Sequence, residues 1–411
     1  MTQAFDLTDP RLLFRDDVVA DPLPLYEALR EHAPVWEIPG TSAFMVTTME
    51  LVDEAVARTD DFSSHLDGLL YQGDDGCPVT FDMTPFGDAT HVMATADPPV
   101  HTGHRRLLRP ALTPRHVATL EADIRAMVDE MLDPVLDAGH GDAMAALADP
   151  LPARVISRLI GLPVEDEPLL IRLVRASDRI LAGVVDASEM AEAATAAAES
   201  EAYLNTHLQR ALTQKADDGS LLALLAGAVR TQEMPFGEAV GILVQLIGAG
   251  VSTTTGFLGA AIRTLAANPQ LQQQLRDEPN AILPFLEETL RVDGPFQFHY
   301  RTTTHPTTLG GVAIPAGAPV LLMWAAANLD TAAFPAADRI DLHREAGKPH
   351  IAFGRGIHFC IGAPLARLEG RLTIEQLLRR TGSFELDPAA APQPRPNIFM
   401  RQLATLPIIT S

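Results

Sequence analysis

The sequence predicts a mainly α chain with small β-sheets, and three observations carry that reading. Residues 235–267 form one continuous helical pattern, opened by Pro235 and stopped by Asn268-Pro269, and apolar on nearly every face between 239 and 249. Apolar residues also recur at helical spacing over 22–32, 49–58, 114–138, 149–160, 165–182, 187–214, 281–291 and 361–380. Alternating stretches are short: 35–38 and 43–47 about Pro39-Gly40, a hairpin-like turn over 308–319, and a strand over 320–325. The long pattern would run roughly 50 Å as a helix, which suits a buried central element. Gln245, a Ser/Thr cluster and Arg263 interrupt it, which argues against a membrane span.

Composition sets the bounds. The chain has 411 residues, 47% of them hydrophobic, which is ample for a large core. A net charge of −22 argues against nucleic-acid binding. Cys77 and Cys360 are the only cysteines and lie far apart, so no disulfide framework is expected and a reducing compartment fits. The first residues are mixed and polar, without the apolar run of a signal peptide or membrane anchor, and the chain reads as cytoplasmic. Between 64 and 96 periodicity fails among glycines and prolines, which predicts a long functional loop with Leu69, Leu70, Val79, Phe81, Met83 and Phe86 as its apolar content.

The chemistry concentrates at residues 353–362, Phe-Gly-Arg-Gly-Ile-His-Phe-Cys-Ile-Gly. A lone cysteine in apolar company is ordinarily a core residue. Here Cys360 stands at the mouth of a helix, where unpaired N–H groups and the helix dipole favour thiolate. Gly356 and Gly362 would let the backbone approach a large flat group, and Phe353 would shield the sulfur. A desolvated thiolate on a tight loop is what a haem iron needs as axial ligand when the chemistry is O–O cleavage.

Phe353, Gly356, Cys360 and Gly362 fit F-x-x-G-x-x-x-C-x-G, and the stretch resembles the cysteine-ligand loop of the cytochrome P-450 haem-thiolate family. The likeness extends along nearly the whole chain. It implies one domain over 1–411 with a small β-rich N-terminal lobe at about 1–60, shaped as a triangular prism. Haem b (iron protoporphyrin IX) would lie between the long central helix and the helix after the cysteine loop. Asp97-Pro98-Pro99-Val100-His101, with Arg105-Arg106, is similar to the family's propionate helix, so His101 and Arg105 are implied propionate ligands, joined by Arg301 and His358. Glu288, Arg291 and Arg339 match the family's structural lock.

Within the central helix, Ala249-Gly250-Val251-Ser252-Thr253 is similar to the oxygen-binding segment. Thr253 falls on the threonine that hydrogen-bonds dioxygen and organises water, and Ala249 and Gly250 would leave room over the iron. The chain departs from the pattern at Ser252, where the family carries an acid. A serine can pass a proton but cannot hold a charge. Phe296, Gln297, Phe298, Ile247 and Phe399 are implied pocket residues, and two lid helices would cover them.

The resemblance implies a soluble bacterial-type monooxygenase, acting as a monomer on O2 and a hydrophobic small molecule. It would take electrons from a separate ferredoxin and ferredoxin reductase, since no flavin or iron–sulfur segment is seen and the one cysteine besides Cys360 cannot hold a cluster. Arg106, Arg109, Arg344, Lys348 and Arg355 would form the basic docking patch. Ser252 motivates one rival, a peroxide-driven or non-redox haem-thiolate enzyme; a haem-binding sensor or carrier is another.

Overall fold

The chain's computed structural model describes residues 5–82, 90–214, 218–344 and 349–411. Met83, Phe86 and Lys348 lie outside the described residues. The central helix spans Phe236–Ala266, with Pro235 extended at its N-cap. It alone among the described residues is long and apolar enough to cross a membrane, and 56% of its most apolar window is buried inside the protein. Phe257, Leu258, Ala261, Ile262 and Leu265 join the main core.

Two elements, Glu167–Ser177 and Ala187–Gln214, pack on one another and on the central helix, as do Pro150–Ile160, Ile282–Asp293 and Ala363–Arg380. The helical expectations hold to within a few residues, with two refinements. The stretch expected over 114–138 is broken before Glu121–Ala138, and that over 165–182 tightens into a 3-10 turn at Asp178–Leu181.

The larger sheet does not belong to the N-terminal lobe alone. Its order is Val35–Glu37, Phe44–Val46, Pro319–Leu322, His299–Thr303, Phe62–Ser63, with Pro319–Leu322 parallel to Phe44–Val46 and the other pairs antiparallel. Every residue of Pro319–Leu322 is buried, as a central strand requires. The strand expected over 320–325 stops at Leu322, and Trp324–Asn328 turns helical. The segment expected to be a long loop contains a hairpin, Gly68–Gln72 paired with Pro78–Asp82. Its glycines and prolines hid the alternation.

Behind the site, Arg291 is 1% exposed and uses all its donors. Nε and Nη2 reach Glu288 at 2.7 and 2.8 Å, and the remaining N–H groups reach the carbonyls of Asn328, Ala337 and Arg339 at 3.1, 2.6 and 2.7 Å. The third side chain of this lock is Arg344, whose Nε lies 3.0 Å from both Glu288 oxygens. Arg339 contributes only its carbonyl, and its side chain is exposed. The sequence expectation is thus corrected by five positions. A turn after Asp341 carries the chain back, so the later arginine meets the carboxylate.

Breaking a buried pair leaves a stranded charge. Arg344→Ala should therefore cost about 2 kcal/mol, whereas Arg339→Ala should stay within about 0.5 kcal/mol of the parent. Urea unfolding of the two variants checks the assignment.

Candidate active site

Cys360 lies between a 3-10 turn, Gly356–His358, and the helix Ala363–Arg380. Its amide donates to the Phe353 carbonyl at 2.9 Å, which closes the loop. Burial pushes the thiol pKa up, and the amides of Gly362 and Ala363 with Arg105 and Arg367 oppose it. These donors are the ones that stabilise a thiolate.

Gly356 has φ +69°, and a Cβ there would stand 2.8 Å from a Val56 methyl. The glycine thus answers backbone handedness and packing against the N-terminal lobe. Gly362 has an ordinary φ of −84°, and a Cβ there would lie 3.8 Å from the Cys360 sulfur. Phe353 stacks under the Arg367 guanidinium, 4.5 Å from its ring centre. Glu287 holds Arg367 through two 2.7 Å bonds and His350 at 3.1 Å. These contacts hold Glu287 ionised: burial resists, but Arg367 and His350 bring its pKa down to about 2. Sequence reasoning missed this clamp, because Glu287, His350 and Arg367 are far apart in the chain.

His101, Arg105, Arg301 and His358 come together. The imidazoles of His101 and His358 lie 4.1 Å apart, and Ser64 Oγ meets His358 Nε2 at 2.9 Å. Arg301 is 7% exposed and donates to the Tyr300 carbonyl, and neither it nor Arg105 enters an ion pair among the described residues. Burial lowers Arg301 to about 10, though Asp97 pulls the other way. Burial, then Arg105, lowers His101 to about 4, and burial, then Arg301, lowers His358 to about 3. His101 Nε2 is buried without a hydrogen-bond partner. Four basic side chains converging with no ion-paired carboxylate among the described residues, Asp97 acting only from a distance, fit an incoming group that carries two.

On the central helix, Ala249 is exposed, Thr253 is half-buried, and Thr253 Oγ1 donates to the Ala249 carbonyl at 2.6 Å. Gly250 turns away: a Cβ there would meet Ile156 at 3.2 Å, so its smallness admits the helix Pro150–Ile160. The expectation that it leaves room beside Ala249 is corrected. Ile247 is corrected too; it is 2% exposed in the core, about 200° around the axis from Ala249. Ser252 is 4% exposed, and its hydroxyl donates to Asp178 at 2.5 Å. Asp178 is a carboxylate that no motif pointed to.

Pleating separates the remaining pocket candidates. Phe298 and Phe399 are 1% and 6% exposed and pack edge-to-face in the core cluster of the N-terminal lobe with Tyr300, so both are corrected to core residues. Phe296 is half-buried against Phe399 and His299. Gln297 is 1% exposed, with neither amide atom hydrogen-bonded. The expected docking patch thins: Arg106 pairs with Glu233, Arg355 with Asp53, and Arg344 belongs to the lock. Arg109 is exposed, outside any ion pair among the described residues.

A family model described as Cytochrome P450 matches residues 186–408. The chain is 38% identical over 382 residues to Cytochrome P450 144 of Mycobacterium tuberculosis, covering 92% of this chain and 86% of that one. It is 34% identical over 406 residues to Cytochrome P450 monooxygenase PikC of Streptomyces venezuelae, covering 95% and 92%. The solved structure of CYP109E1 from Bacillus megaterium, in complex with testosterone, superposes with a TM-score of 0.85 at 27% identity, over 97% of this chain and 100% of that one. The chain belongs to the cytochrome P450 family. Its members are monooxygenases that use protoporphyrin IX haem iron, a group whose two carboxylates match the unpaired basic cradle described above.

The Glu287 clamp has a pH signature. Its carboxylate is lowered from 4.5 to about 2 in the folded chain, so its stabilisation is present above pH 4.5 and lost as pH falls toward 2. Discounted for partial exposure, it is worth about 1 kcal/mol. Thermal unfolding of Glu287→Gln against the parent should show a gap at neutral pH that closes in acid.

Proposed function

We propose that this P450 monooxygenase oxygenates a small to medium hydrophobic organic substrate, by hydroxylation, dealkylation or epoxidation, using electrons from a separate ferredoxin and its reductase. The observation that carries the reading is the Cys360 thiol set beside a desolvated basic cradle that no carboxylate among the described residues pairs with. Cys360 binds the iron as thiolate, and His101, Arg105, Arg301 and His358 hold the propionates. Haem, when bound, supplies dioxygen activation and oxygen transfer to carbon.

The chain's own residues do the rest. The Gly362 and Ala363 amides with Arg105 and Arg367 favour the ionised sulfur. Thr253, on the open face of the central helix, has its hydroxyl oriented by the Ala249 carbonyl and holds water beside the reacting centre. Ala249 and Phe296 present apolar surface to the substrate and exclude bulk water, and Gln297 offers the polar anchor. A hydrophobic ligand agrees with the testosterone in the CYP109E1 complex. With Cys360 on the iron, the one remaining cysteine cannot hold an iron–sulfur cluster, so the electrons come from another protein, which docks on the cysteine side where Arg109 is exposed. The chain acts as a single-domain monomer in the cytoplasm.

Cys360→His should abolish the long-wavelength Soret band of the ferrous–CO form, and a band that survives the substitution overturns the ligand assignment. Reconstitution of the parent should give product with a ferredoxin system and O2. Product from peroxide alone would instead establish the peroxide-driven rival, and binding without product the carrier.

A further inference from the structure

The central helix bears no acid at 252, yet a carboxylate stands there all the same. Asp178 opens the 3-10 turn Asp178–Leu181 that ends the helical stretch begun at Glu167. Ser252 Oγ donates to its Oδ2 at 2.5 Å, across 74 residues of sequence, and no other hydrogen bond or ion pair of this carboxylate is seen among the described residues. Burial raises its pKa from 3.8 to about 6, against the opposing effects of Ser252 and Arg395.

The charged surroundings do not neutralise it. Arg395, from the C-terminal segment, faces Asp178, but it donates to the Leu403 carbonyl at 3.3 Å and lies 3.9 Å from Asp149. Arg175 is held by Asp149, and Arg179 by Glu189 and Glu192 at 3.4 and 3.6 Å. No cation is committed to Asp178, so it can carry a proton near neutral pH where a salt-bridged aspartate could not. Ser252 lies one residue before Thr253, and about 60° around the helix axis from Ala249 on the side opposite Thr253.

We propose that Asp178 is the acid of the proton path into the active site, acting through Ser252 in place of the carboxylate that the helix lacks. In each transfer the Asp178 O–H bond breaks and its proton passes to Ser252 Oγ, while the serine's own proton moves to a water held by Thr253. The carboxylate left behind is reprotonated from solvent on the Arg395 side. Oxygenation with O2 consumes two electrons and two protons, placing one oxygen atom in the substrate and releasing the other as water. The ferredoxin provides the electrons and this path the protons. Asp178 is thus a positioning and proton-storing residue, and its role rests on the monooxygenase reading above.

The test uses the haem-loaded protein with a turned-over substrate and compares the parent, Asp178→Asn, Asp178→Glu and the double variant Asp178→Asn/Ser252→Asp. With ferredoxin and O2, Asp178→Asn should lose about tenfold or more in product per electron consumed, together with the parent's inflection near pH 6. Driven by hydrogen peroxide, which brings its own protons, it should lose far less. Asp178→Glu and the double variant should recover coupling.

Independently of turnover, the stabilisation from protonated Asp178 is present below pH 3.8 and lost as pH rises through about 6. The thermal midpoint of the parent should therefore fall relative to Asp178→Asn across that interval. Full coupling in Asp178→Asn, equal losses with O2 and peroxide, or a folded double variant that stays uncoupled would each overturn the proposal while leaving the monooxygenase standing. A parent that makes no product with ferredoxin and O2 would instead overturn the monooxygenase reading.

Discussion

A guanidinium sealed from water must satisfy five N–H groups inside the protein, and much of this structure follows from how Arg291 does so. Two of its donors go to Glu288 and three to main-chain carbonyls of residues 328, 337 and 339, so a single side chain pins the long connection after Trp324–Asn328 to the helix Ile282–Asp293. Asn328, whose carbonyl it takes, returns its side-chain oxygen to the Ile351 amide at 2.7 Å. Ile351 then accepts from Gly354, and Phe353 accepts from Cys360. The sulfur is therefore tethered through a short relay to a residue that cannot move without stranding a charge. Glu287, next to Glu288, grips the helix after the cysteine through Arg367. Two adjacent carboxylates of opposite orientation hold the two ends of one loop.

The central helix solves a different problem, which is to serve several neighbours from consecutive residues. Gly250 admits Ile156, Ser252 reaches Asp178, Thr253 stays at the open face, and Thr255 donates to the Ala148 carbonyl at 2.9 Å. Gln402 donates to the Ser252 carbonyl at 2.6 Å. Hydroxyl and glycine residues weaken a helix locally. Thr253 keeps its hydrogen bond inside the helix, but the bonds of Ser252 and Thr255 and the one from Gln402 tie it to three other segments, so tertiary packing offsets the weak propensity. The stretch reads less as a bulge for one ligand than as a junction.

What was legible in the sequence was whatever repeats locally. The central helix, the lid helices and the cysteine loop each show themselves within a window of a few turns, and the four basic residues of the cradle follow once the family likeness is seen. What was not legible depends on long-range return of the chain. Arg339 and Arg344 are equally plausible partners for Glu288 until the turn after Asp341 chooses between them. Phe298 and Ile247 turn into the core although their places in the sequence put them near the site, since a motif gives a position but not a direction. Asp178 carries no motif, and only the packing of the Asp178–Leu181 turn on the central helix makes it meaningful.

The basic cradle is the least self-sufficient part of the fold. In a chain of net charge −22, acids are plentiful, yet Arg105 and Arg301 lie outside every ion pair among the described residues and two imidazoles are held neutral beside them. Burying cations together without anions is costly, and the cost here shows as lowered pKa values in all four groups. Propionates held by these residues, as proposed, would reverse each of these shifts, because a nearby anion favours the charged form that burial disfavours. Binding free energy and folding free energy are then linked, as for any ligand that meets the folded chain alone. On the proposed reading, the residues that position the cofactor would also have their charges completed by it, so haem would serve as a structural member of the core as well as the reactive centre.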